Sequence, residues 1–149
     1  MDADTLQQIQ AEALRARITL EPQVAPNLEE SKLSVTLGTL HGERQFRFSL
    51  HSDGQENIAN EGGWFSEGAQ WTAYTLKLSE SAIVDFKAMQ AEFLQQSPES
   101  MGLNVKVIMH RPDDHTNGVM TVELKLFAED DFFTLVDEYH YTIGEKREL

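Results

Sequence analysis

The densest group of side chains able to do chemistry is the run His110-Arg111-Pro112-Asp113-Asp114-His115. Two imidazoles and two carboxylates within six residues could offer nitrogen and oxygen ligands to a divalent ion, and an H-x4-H spacing across a turn can converge on one centre. A long hairpin loop accounts for the same residues: Pro112 presets one dihedral, Asp and Asn hydrogen-bond their own backbone, and Gly118 accepts a positive φ. Arg111 would also compete with a metal for Asp113 and Asp114, and no H-E-x-x-H helix completes the set. His110, Asp113, Asp114 and His115 stand as the metal-ligand candidates against that loop reading, and no cofactor is expected.

Glu61-Gly62-Gly63-Trp64-Phe65-Ser66-Glu67-Gly68 is the second group. A solvated loop gains nothing by displaying two large aromatics, so Trp64 and Phe65 either fold back over the sheet or form part of a recognition surface. The Gly-Gly pair is no phosphate cradle, because G-x-x-x-x-G-K-[ST] is absent and the flanking carboxylates repel phosphate. Ser66 lacks the G-x-S-x-G setting of an activated nucleophile. The third group is Glu129, Asp130, Asp131, Asp137 and Glu138, five acids with no Lys or Arg between Phe127 and His140. Such a run is a solvated face, a docking surface for a basic partner peptide, or a mimic of a nucleic-acid phosphate array.

The elements that must hold these groups follow from periodicity. Leu6, Ile9, Ala13 and Ala16 step by three and four, which predicts a helix over about 4–17, followed by a connector over about 18–31 around Pro22 and Pro26. Leu33, Val35 and Leu37, then Phe46, Phe48 and Leu50, alternate with polar residues and predict a hairpin turned at His41-Gly42. Residues 51–70 read as the longest irregular segment, and 71–78 as a strand. Ser79 or Ser81 can cap a helix carrying Ile83, Phe86, Met89 and Phe93 that stops at Ser97-Pro98. Leu103 to Met109 and Met120 to Leu126 predict two further strands. The run 131–143 fits a helix or a strand, and its β-branched and aromatic content favours the strand.

The fold class expected is α+β: an antiparallel sheet of five or six strands with two main helices packed largely on one face, all in a single domain over 1–149. This order of helix, three strands, helix, two strands and a final element resembles that of acidic bacterial secretion chaperones, which implies a partner-binding role.

Charge narrows the function classes. Twelve Lys+Arg against 25 Asp+Glu give −13, and no run of basic residues offsets it, so neither free nucleic acid nor an anionic membrane surface is an expected partner. Zero Cys removes disulfides, thiolate metal sites and a cysteine nucleophile. No window approaches the length of a membrane-spanning helix, and the segment from Met1 to Arg17 lacks the basic leader and apolar run of a signal peptide. The default compartment is cytoplasmic, or periplasmic or secreted if a leader was removed. Three functions remain, in this order. The first is a non-catalytic, acidic interaction module, an escort, inhibitor or immunity-type partner of a more basic protein, using Trp64, Phe65 and the acids at 129–138. The others are an extracytoplasmic domain of an envelope assembly and a metal-dependent enzyme using 110–115.

Overall fold

The computed structural model of the protein describes residues 3–21, 25–59, 70–110 and 117–142. A 3-10 helix, Ala3–Gln8, leads into β1 (Arg15–Leu20), β2 (Ala25–Thr39), β3 (Gly42–Ala59) and β4 (Gln70–Leu78). The helix α1 (Glu80–Glu92) follows, and then β5 (Ser100–His110), β6 (Asn117–Lys125) and β7 (Phe133–Thr142). The seven strands among the described residues form one sheet in the order β5-β2-β3-β4-β1-β6-β7, antiparallel at every junction. The α+β expectation is met in its coarse form. The expected five or six strands are corrected to seven, and the chaperone-like element order becomes a 3-10 helix, four strands, a helix and three strands.

The N-terminal segment accounts for most of the difference. In place of a helix over 4–17 there are one 3-10 helix and a strand, and the 18–31 connector shrinks because β1 runs to Leu20 and β2 begins at Ala25. Helical spacing and strand alternation overlap here, and tertiary burial decides between them. Leu14, Ala16, Ile18 and Leu20 are fully buried, alternating with Arg15, Arg17 and Thr19, because β1 is inserted between β4 and β6 and both of its edges are paired. The residues before it cross to α1. Gln90 Nε2 donates to the carbonyls of Leu6 and Ile9 at 2.9 Å, and Gln10 N donates to Leu126 O at 3.1 Å.

The other elements follow their local chemistry. The hairpin turns at Leu40-His41, with Gly42 at φ +112° and Thr39 Oγ1 donating to Gly42 O at 2.7 Å. Ser79 caps α1, accepting from Ala82 N at 3.1 Å, which satisfies one of the donors that a helix start leaves open. Ala82, Phe86 and Met89 are buried in the core, with the Phe86 ring 5.0 Å from that of Phe48 on β3. The expected irregular segment 51–70 is also corrected in part, since β3 continues to Ala59. Its alternation is broken by a bulge at Asp53-Gly54, where Gly54 takes φ +105° and β3 gains one residue on β4. Residues 133–142 form a strand.

Candidate functional site

Pairing along the sheet brings together cations that lie far apart in the chain. Arg15 on β1 stands opposite Lys77 on β4 and opposite Lys125 on β6, and Lys77 in turn stands opposite His51 on β3. Paired residues of antiparallel strands point to one face, so His51, Lys77, Arg15 and Lys125 form a single row across four strands, about 14 Å long at ordinary strand spacing. Arg17, Lys32, Arg47 and Lys106 occupy the same face by strand alternation. The acids there are Glu43, Asp53, Glu56 and Glu123, and Glu29 and Glu30 share a shallow depression with Lys32, Arg47 and Lys106. The seven Lys and Arg named here are thus interspersed with acids on the same face. No run of the chain contains this row, because only the register assembles it.

Two members of this face are held in place. Arg15 Nε donates to Asp53 Oδ2 at 2.7 Å and its Nη1 donates to the carbonyls of Glu12 and Leu14 at 2.9 and 2.8 Å. Asp53 sits at the bulge with Gly54, on the face that Ser49 and His51 take, and the ion pair with Arg15 joins β3 to β1 over the intervening β4. Arg17 makes two parallel bonds to Glu123, at 2.8 and 2.9 Å, and lies 4.1 Å from the ring centroid of Phe132. The Glu123 carboxylate pushes the Arg17 guanidinium above its already high ordinary value. Arg15, His51 and Lys77 open into a cleft of about 660 Å³ that Ser49, Ser81 and the buried Ser79 also line.

No protein-family model, curated protein or solved structure matches the chain.

A second depression, of about 410 Å³, lies between the Thr39–Gly42 turn and the end of α1. Arg44 closes one side, donating to Glu92 at 2.8 Å while its guanidinium carbon sits 4.9 Å from the Phe46 ring and 5.4 Å from the Phe93 ring. Leu40, at the tip of the turn, is largely exposed.

The structure describes only some of the residues singled out from sequence. Glu129, Asp130 and Asp131 lie exposed in the connection after β6, where Asp130 N donates to Phe127 O at 3.3 Å. Asp137 and Glu138 belong to the edge strand β7, together opposing the single residue Thr121 at a bulge between the pairs Val136–Val122 and Tyr139–Met120. Bulges and charge on an edge strand hinder pairing with another sheet. Trp64, Phe65, Asp113, Asp114 and His115 lie outside the described residues. His110 ends β5, paired through its backbone with Ala25.

The strand ends Ala59, Gln70, His110 and Asn117, to which the 60–69 and 111–116 connections attach, are at the end of the sheet marked by Leu20 and Met120. The 129–131 acids follow Lys125 at the opposite end of the sheet, the end marked by the Arg15–Lys77 pair. Among the described residues no three His, Asp or Glu are placed to hold a metal, and no helix is long and apolar enough to cross a membrane.

Proposed function

We propose that the protein is a non-catalytic interaction module that engages a more basic protein partner, with the turn Glu129-Asp130-Asp131 as a principal contact. The observation that supports this reading is the state of those three carboxylates. They are consecutive, exposed and without an ion pair among the described residues, whereas Arg15, Arg17, Arg44 and Lys87 are each committed to an acid. Phe133, 37% exposed, follows the turn and adds apolar contact area at its base. Unpaired charge displayed on a tight turn raises association rate and sets partner choice, at little cost in stability to the free protein. Trp64 and Phe65 belong to this proposal as a separate contact, since the connection that carries them attaches at the other end of the sheet.

The reading is tested with the variant Glu129→Gln/Asp130→Asn/Asp131→Asn. A partner recovered by cross-linking in native cell extract is identified, purified and titrated against wild type and variant at several salt concentrations. The expected result is affinity that falls steeply with salt in the wild type, and a variant that binds roughly tenfold or more weakly with a flatter salt dependence. A purified partner bound equally by both proteins would sink the assignment. Trp64→Ala is expected to weaken the same complex with Tm unchanged.

A further inference from the structure

We propose that the row His51-Lys77-Arg15-Lys125 is a binding site for a small phosphate-bearing anion. Like charges placed directly opposite each other on paired strands are destabilising. The chain has 25 acids and 12 Lys and Arg from which to fill these positions, yet three cations occupy consecutive places across β4, β1 and β6, and an imidazole extends the row on β3. Two residues along β1, the pairing with β6 shows the ordinary solution, with Arg17 opposite Glu123. The repulsion in the row is only partly relieved from within. Arg15 is held by Asp53 and by two carbonyls, while Lys77 and Lys125, on either side of it, have no ion pair among the described residues.

The surroundings fit a ligand. Arg15, His51 and Lys77 line the cleft of about 660 Å³, a size usual for small-molecule sites, and the hydroxyls of Ser49 and Ser81 line it too. Two acids, Glu12 and Glu80, share the cleft, and Glu12 is already tied to Lys87. A guanidinium held by Asp53 and flanked by two lysines with no ion pair among the described residues suits an anion that spreads two or more negative charges over several oxygens. A phosphate monoester or diphosphate does this, whereas a single carboxylate would satisfy one cation and leave the others opposed. Lys77, exposed, supplies the contact from the cleft side, and Lys125 stands opposite Arg15 on the far side, outside the cleft lining.

The test compares pyrophosphate, inorganic phosphate, sulfate and chloride at equal ionic strength, reading Tm and backbone amide shifts of the full chain. Lys77→Gln and Lys125→Gln are the site variants, and Arg47→Gln, on the same face outside the cleft, is the control. In chloride alone both site variants are expected to melt above wild type, because each removes a like-charge neighbour of Arg15. With pyrophosphate, wild type and Arg47→Gln are expected to gain Tm in a saturable manner, with shifts centred on Arg15, Lys77 and Lys125. The site variants should bind roughly tenfold or more weakly. A stronger response to pyrophosphate than to phosphate and sulfate assigns a diphosphate, and an equal response to phosphate assigns a monoester. The proposal is overturned if pyrophosphate does no more than chloride, or if Lys77→Gln keeps the full response.

Discussion

Arg17 and Glu123, 106 residues apart in the chain, stand directly opposite each other on β1 and β6 and are joined by two parallel hydrogen bonds of 2.8 and 2.9 Å. Phe132 covers the guanidinium from the β7 side. The pair is only partly exposed, so solvent screens it less than an ordinary surface ion pair. Arg17→Met is expected to lower unfolding free energy by about 1–2 kcal/mol. A double-mutant cycle with Glu123→Gln in urea should return a coupling of about 1 kcal/mol. A coupling of zero would show that the two bonds contribute nothing.

Leu14 separates the strand from the helix that spacing predicts. A helix over 4–17 would place its apolar face at Leu6, Ile9, Ala13 and Ala16, leaving Leu14 off that face, whereas the sheet buries Leu14 completely. Leu14→Ala should therefore cost about 2–5 kcal/mol by cavity formation. Thermal denaturation reads this directly. Ile18, central in a strand paired on both sides, should show amide exchange as slow as global unfolding.

Glu12 and Lys87 tie the N-terminal segment to α1. The hydrogen bond from Lys87 holds the Glu12 carboxyl below its ordinary value of 4.5. A depressed folded value means that the tie contributes fully above the ordinary carboxylate range and is lost as pH falls through the lowered one. Lys87→Gln should be less stable than wild type at neutral pH, with the gap closing in acid. Urea midpoints measured across pH 2 to pH 7, a range of about five units around that value, check this.

Gly54 forms a bulge with Asp53, which pairs with Arg15. Its φ of +105° is costly for any residue with a Cβ, although no atom lies within 4 Å of the place a Cβ would take. Gly54→Ala should thus destabilise through backbone strain of about 1–3 kcal/mol, with no steric clash. If the bulge instead relaxes, Asp53 leaves Arg15, and the loss of the Asp53→Asn penalty in that background would reveal it.

The parts of the fold written in neighbouring residues are legible in the sequence. Alternation from Leu33 to Leu50 marks the β2–β3 hairpin, and Ser79 followed by Ile83, Phe86 and Met89 marks α1, because turn chemistry and helix capping act over a few residues. The segment Arg15–Leu20 reads wrongly from spacing because Ala16 satisfies both periodicities, and six residues are too few for one to win. The register of the Asp53-Gly54 bulge is equally hidden, since a bulge is defined by the strand opposite it.

For the sites the division is sharper. Charge, the absence of cysteine and the acidic run at 129–131 are properties of composition and local polarity, and the chain alone determined them. The juxtaposition of His51, Lys77, Arg15 and Lys125 was decided only by tertiary structure. Alternation tells which face of its own strand a residue takes, but not which strands become neighbours or in what register. Those depend on burying Ala16, Ile18 and Leu20 between β4 and β6, and that burial carries Arg15 into line with two lysines on the opposite face.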